Sequence, residues 1–505
     1  MKKDFWRDPL RTAMMAVPQG RSAGMLCAAL CAVFAAAAYA MLREMQGAAV
    51  IALCGALGLA ALLWGLAQVL RGTKEPALVW ICAAAACMLA VAAHLAMLDI
   101  RPGRYTKMLA PLFEDMWNYE MITALAWEDD AWSGVYMIVC ALISRLQTFS
   151  QLYAVKLFDM ICQCLCGAAV VRLAKRRGAS AAACIGGMLA CVLAPTMLMN
   201  AGCWAQCDAT FAMLTLWGLA LLMEDHPLAG CVLWGLALGT KLQSAFLFPL
   251  LIVLFMNRRV SLRHLLALAG AYLLSQVAIL LDGQGLAAML GRYAQQLESA
   301  RGTIGLSDHA PGVYGLMKVA SVREFSGMGL YLGIACALIV VWALLRRGQP
   351  LSDETLLLAA LLLAAGLPLV LPQMNARSLY LAGMLAFALA DTPKRLAAAV
   401  ALEAVSLCSY MEAVFGLTVM PMSTLSLVTI AAATAIALEL VQKLKAPKAA
   451  KNRAKRRRGL GTGACRPLCG MKAGGASGIA RSTACGATMR VPRTLVPGRV
   501  QGQGP

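Results

Sequence analysis

Charge is scarce in this chain. Only 14% of its 505 residues are Asp, Glu, Lys or Arg, 61% are hydrophobic, and the mean hydropathy is +0.71. Soluble domains carry about 25% charged and about 45–50% apolar residues, so a soluble globular protein is excluded. Histidine is scarcer still. His94, His226, His264 and His309 are the whole set and share no metal-ligand spacing, so no zinc site is expected. Acids are absent after Gln442, where fifteen Lys and Arg accumulate, so most of the net charge of +20 sits in a terminal tail. The excess therefore argues for no nucleic-acid partner in the body of the chain. No convincing internal repeat is present either, which disfavours a transporter built from related halves.

Cysteine is plentiful, at 19 residues, but it is scattered through apolar runs such as Cys162, Cys164 and Cys166. There it reads as a small buried hydrophobe. Cys203 and Cys207 are a conceivable bridge on an oxidising side, although their spacing suits one helix face better. No cleavable signal stands out, and the basic start "MKKDFWRDPLR" reads as a retained cytoplasmic end.

Apolar runs bounded by charge, Gly or Pro predict helical spans near 23–43, 48–70, 77–98, 153–172, 180–197, 208–223, 227–240, 244–257, 262–282, 328–345, 355–371, 378–391, 396–415 and 424–441. The expected fold class is therefore an all-α polytopic membrane protein of roughly 12–14 transmembrane helices, several of them shorter than the roughly 20 residues a crossing needs. Basic stretches at 71–75, 175–178, 257–264, 345–348, 392–395 and in the tail all fall on one side if 134–150 lies at the interface instead of crossing. By the positive-inside rule that side is the cytoplasm and holds both termini. The expected organisation is a cytoplasmic start (1–22), N-terminal transmembrane helices (23–98), a first extracytoplasmic loop with interfacial helices (99–152), a central transmembrane region (153–283), a second extracytoplasmic loop (284–327), C-terminal transmembrane helices (328–441) and a disordered basic cytoplasmic tail (442–505). The membrane is expected to be the plasma membrane.

The same scheme puts the unusual polar groups together on the outer side. They are the loop from Asp99, the stretch "NAGCWAQCDATF" with Trp204, Gln206 and Asp208, the pair Lys241 and Gln243, the loop after Gln284, and "PQMNARS" at 372–378. Carboxylates at membrane depth are costly and are functional suspects by default. Asp208 opens an apolar run, so it is also a plausible helix cap. Between Pro227 and Asn257 there is room for two helices of only ~21 Å, which turn around Lys241 below the surface. Such a turn needs a protein-lined or watery cavity, and a cation there suits a phosphate.

The segment from Asn200 to Phe255 resembles multi-span glycosyltransferases of the GT-C superfamily, and more narrowly bacterial relatives of the second mannosyltransferase of GPI-anchor assembly. Asn200, Trp204, Gln206 and Asp208 match an Asn-x-x-x-Trp-x-Gln-x-Asp segment, and Lys241 and Gln243 match the Lys-x-Gln pattern that follows it. "SQLYAVKLFDM" (150–160) and "HAPGVYGLM" (309–317) also look like family segments. Two positions depart from the pattern. "PGRYTKMLAPLF" has Arg104 where the family carries a first-loop Asp, and "QMNARSLY" keeps only Met374 and Arg377 of a Met-His-Glu-Arg-Tyr string.

The resemblance implies inverting transfer of a hexose, such as mannose, from a polyprenyl-phosphate donor in the bilayer to an extracytoplasmic acceptor. It makes a carboxylate the base, with Asp99 and Asp130 as leading names, Glu128 and Asp129 beside them, and Asp208 as a further catalytic candidate. Trp204, Gln206, Lys241, Gln243, Arg377 and Tyr105 become candidate substrate and phosphate ligands, with Lys107 behind them. A divalent cation, Mg2+ or Mn2+, is compatible with this chemistry, although no metal ligand set is recognised. The alternatives are a transporter or flippase of a lipid-linked saccharide and a catalytically degenerate GT-C scaffold.

Overall fold

The computed structural model describes residues 21–71, 77–127, 134–303, 306–317, 322–346 and 351–445. The basic tail and the acidic cluster Glu128, Asp129 and Asp130 lie outside them. Among the described residues the chain is almost entirely helical and builds an all-α polytopic membrane protein. Eight helices are long and apolar enough to cross a bilayer: α1 (Arg21–Leu42), α2 (Ala48–Leu70), α3 (Ala77–Ala96), α7 (Gln151–Arg176), α16 (Val322–Leu345), α17 (Asp353–Val370), α19 (Pro393–Phe415) and α20 (Met422–Lys445). A ninth crossing arises if α8 (Ala181–Leu193) and its continuation from α9 (Pro195–Leu198) to Trp204 count as one helix bent by 44°.

The remaining five of the fourteen expected spans are helical but short. They are α10 (Asp208–Met223), α11 (Pro227–Leu238), the 3-10 turn Leu242–Leu247 with α12 (Pro249–Met256), α13 (Leu262–Ser275) and α18 (Tyr380–Leu389). At 1.5 Å per residue they reach ~15–24 Å, short of the ~30 Å hydrocarbon layer. The physical reason is what interrupts them: Lys241 between α11 and α12, and the irregular segment Leu371–Leu379 before α18. The ends near Thr240 and Tyr380 are buried in protein, whereas those at Asp225 and Asn257 are exposed.

Between and beside the spans lie the shorter helices α4 (Ala110–Asn118), α5 (Met121–Ala126), α6 (Gly134–Ser144) and α14 (Val277–Leu281), and α15 (Gly285–Thr303). As expected, α6 is too short to cross, and Arg145 just after it donates to the carbonyls of Trp117 and Tyr119 at 3.1 and 2.7 Å. The central helix α7 packs against α2, α8 and α10. Its buried Cys162, Cys164 and Cys166 meet small partners, with Gly58 on α2 facing Cys164. All the described cysteines are free thiols, Cys203 and Cys207 included.

At one end of the bundle the basic stretches meet acids. Arg172 pairs with Glu224 at 2.5 Å, Arg177 with Asp391 at 2.6 Å, and Arg176 with Asp353 at 3.0 Å. Arg395 binds Glu354, Asp391 and Glu439 together. Burial alone would raise the Asp391 carboxyl, but the hydrogen bonds and charges of Arg177 and Arg395 hold it below its ordinary value. From this end α17 runs ~27 Å to the other, where the unusual polar residues gather.

Candidate functional site

The site is built on a broken helix. The break between α8 and α9 falls before Pro195, which takes the first helical position, where its missing N–H is no loss. Glu403 on α19 accepts hydrogen bonds from the Thr196 N–H at 3.0 Å and the Thr196 hydroxyl at 2.6 Å. A carboxylate at a helix N-terminus is favoured by the free N–H groups and by the helix dipole. The chain then forms a π-helical turn, Met199–Trp204, and reverses through Ala205, held in the left-handed region at φ 52°. That reversal lets Asn200, Gln206 and Asp208 face one another.

Asp208 is completely buried in the first turn of α10, one residue after the cap position held by Cys207. It is therefore not the helix cap. One carboxylate oxygen accepts a hydrogen bond from Lys241 Nζ; the other accepts from Asn200 at 2.8 Å and Arg377 at 3.1 Å. Arg377 also donates to Gln206 Oε1, and its guanidinium lies 5.2 Å from the Trp204 ring centre. Asn200 donates to the Tyr410 hydroxyl at 2.9 Å, and the Tyr410 ring meets Trp204 edge-on at 5.1 Å. Lys241 Nζ sits 5.4 Å from the centre of the Phe211 ring. Arg377 itself is positioned by Asn375, whose side chain accepts the Arg377 N–H at 3.1 Å. Asn375 lies in β2 (Met374–Asn375), which pairs in parallel with β1 (Ser307–Asp308), in the segment between α15 and α16. Residues from four distant stretches thus meet in one cluster. With one carboxylate and two cations, this cluster carries a net charge of +1.

Next to it lies a cavity of about 460 Å3, lined by Lys241 and Gln243, by Tyr293 and Gln296 of α15, by Ser326 of α16, and by Gln373. Trp204, Gln206, Asp208 and Arg377 do not line it. The single open hollow expected from the sequence is therefore two compartments, a closed ion cluster and an open cavity, joined at Lys241. The reason is electrostatic: Lys241 and Arg377 engage both oxygens of Asp208, so the carboxylate positions the cations instead of facing the cavity. Gln243 Oε1, Ser326 Oγ and Gln373 Nε2 at the cavity wall are buried without a hydrogen-bond partner. The rest of the wall is apolar, with Phe246, Leu297, Leu330, Ile334, Leu367 and Leu371. A second apolar hollow of about 600 Å3 shares Ala245, Pro249, Ile334 and Ala337 with the first and continues along α12 and α16 to Phe255 and Val341.

Asp99 lies apart from the Asp208 cluster. It is exposed, accepts a hydrogen bond from the Tyr153 hydroxyl, and lines a separate pocket of about 400 Å3 with Gln46, Arg101 and Tyr105. Burial pushes the Tyr105 phenol up, with the Arg101 charge opposing, so the phenol is a neutral donor at neutral pH. Lys156 donates to the carbonyls of Met97 and Leu98 at 2.6 and 3.1 Å, and Met97 touches Cys203 at 3.5 Å between sulfurs. Asp130, with Glu128 and Asp129, lies outside the described residues. Among the described residues no group of three or more His, Cys, Asp or Glu could hold a metal ion.

Sequence reasoning missed Tyr410 and Glu403. Glu403 and Tyr410, seven apart, share one face of α19, but Ser406, Ser409 and Glu412 of the same helix are polar too, so the pair did not stand out. It also missed Asp159, which is fully buried on α7, near enough to Asp208 to feel its charge, with neither oxygen hydrogen-bonded. No family model matches the chain, and no curated protein matches it.

Proposed function

We propose that the protein is a membrane glycosyltransferase that takes a hexose from a polyprenyl-phosphate donor and passes it, with inversion, to an acceptor outside the plasma membrane. One observation carries this reading: Lys241 stands where a cationic cluster meets a cavity that continues into apolar space. The matching ligand has an anionic head, a hydroxyl-rich group beside it and a hydrocarbon tail. Lys241 has three N–H donors; Asp208 engages one, leaving two for a phosphate oxygen. The net positive charge of Lys241, Arg377 and Asp208 matches a phosphodiester monoanion and stabilises the charge that grows on the departing lipid phosphate. Gln243, Ser326 and Gln373 supply the unused polar atoms that sugar hydroxyls require. In the reaction the acceptor oxygen bonds to the anomeric carbon, the bond from that carbon to the phosphate oxygen breaks, and the acceptor proton goes to a first-loop carboxylate. Asp99 and Asp130 remain the candidates for that base.

A second reading, a family-like protein that binds the lipid-linked sugar without transferring it, is favoured by a specific observation. The described lining of the Lys241 cavity contains no carboxylate. The test is transfer by the purified, reconstituted protein from polyprenyl-phosphate hexoses. Transfer abolished by Lys241→Ala supports the enzyme. Binding of the donor without transfer supports the second reading, and absence of both defeats the proposal.

A further inference from the structure

Another cavity lies at the opposite end of the bundle and belongs to none of the chemistry above. It measures about 620 Å3 and opens between α17, α18, α19 and α20. Its wall is apolar, including Leu358, Leu361, Leu389 and Ile436. Its mouth is charged, with Lys394, Arg395 and Lys443 against one carboxylate, Glu439. That carboxylate is engaged by Arg395 at 2.8 Å, and Lys443 is paired with Glu354. Lys394 is exposed and makes no ion pair among the described residues. The neighbouring Leu438 is 58% exposed, so the hollow opens sideways where the bilayer lies.

We infer that this hollow is a binding site for one anionic phospholipid of the surrounding membrane. The packing argument is direct. Protein interiors leave few voids larger than a water molecule, and an apolar space of this size open to hydrocarbon is filled by an acyl chain. The charge argument selects the headgroup. Arg395 and Lys443 are paired with Glu354, Asp391 and Glu439, which leaves Lys394 as the mouth's cation without an acid partner among the described residues, open to a phosphate of net charge −1. The position agrees, because the ion pairs of Arg177, Arg395 and Lys443 mark the level at which the helices leave the hydrocarbon. Bound there, the lipid bridges α19 and α20 to α17 and α18, the pair that carries Arg377 at its far end.

The test is native mass spectrometry of the full-length protein released from bilayers of equal phosphatidylglycerol and phosphatidylcholine. The expected result is one retained phospholipid with phosphatidylglycerol strongly preferred. Lys394→Gln lowers that preference by roughly fivefold, the effect of one cation near a membrane surface. Ala435→Trp, on an exposed part of the cavity wall, removes retention altogether while the protein stays folded. Attraction of headgroups to the basic residues after α20 would not need the cavity, so the Ala435→Trp arm separates the two. No retained lipid, equal retention of the two lipids by the wild type, or retention undiminished by Ala435→Trp overturns the inference.

Discussion

The sharpest quantitative consequence concerns Asp208→Asn. The substitution keeps the shape of the side chain and its bond to Asn200 can be re-formed, but it removes the carboxylate that Lys241 and Arg377 both pair with among the described residues. Removing one partner of a buried ion pair costs about 3–5 kcal/mol, because the other charge is left uncompensated. Lys241 opens on the cavity and can recover some hydration by turning into it, whereas Arg377, with 7% of its side chain exposed, cannot. The expected loss is therefore about 3 kcal/mol, the low end of that range. The assay is equilibrium unfolding in mild detergent, run as a double-mutant cycle with Lys241→Met. The double variant restores the net charge of the wild-type cluster, so the two losses are expected to be non-additive by about 1–3 kcal/mol. Single-variant stability within about 0.5 kcal/mol of wild type, or strict additivity, would refute the claim that these charges form one buried unit.

Other expectations are as specific. Glu403→Ala leaves the N-terminus of the broken helix uncapped and is expected to lower stability by about 1–2 kcal/mol, read by thermal unfolding; no change would show that the Thr196 bonds are dispensable. Asp159→Leu replaces a buried carboxyl with no hydrogen bond and is expected to raise stability by about 1–3 kcal/mol; a loss would reveal a partner for that group. Asp391 is held below its ordinary carboxyl value, so its contribution is present above about pH 4 and lost as pH falls through the lower folded value. The acid limb of thermal stability is accordingly expected to flatten in Asp391→Asn, and an unchanged limb would contradict the pairing with Arg177 and Arg395. Ala337→Trp fills the junction of the two apolar hollows and is expected to weaken binding of a polyprenyl phosphate about tenfold or more, a cost of at least ~1.4 kcal/mol; unchanged binding would place the tail elsewhere.

Much of this architecture was legible in the sequence because the bilayer imposes a simple rule: a helix that crosses must be long and apolar. All fourteen predicted spans are helical, and eight of them satisfy the length criterion, α7 and α19 among them despite the polar residues Lys156, Asp159 and Glu403 within them. The gathering of Asn200, Asp208, Lys241 and Arg377 was also legible, since isolated polar side chains in apolar helices must find one another. What was not legible was the division of labour within the cluster. A residue list does not show that Asp208 would spend both oxygens on neighbouring cations, or that Asp99 would turn to Tyr153 in a pocket of its own. Those outcomes depend on the left-handed Ala205 and the π-helical turn before it, local backbone choices with no signature in composition or spacing.

The central claim is that a lipid phosphate sits at Lys241 with its tail along α12 and α16. It is tested most directly by photo-crosslinking a polyprenyl phosphate that carries a diazirine in its tail to the reconstituted protein, then mapping the labelled peptides. The account expects labels between Ala245 and Phe255 and between Leu330 and Val341, reduced strongly by Lys241→Met. Labels confined to α1 and α3, or labels indifferent to Lys241, would contradict it.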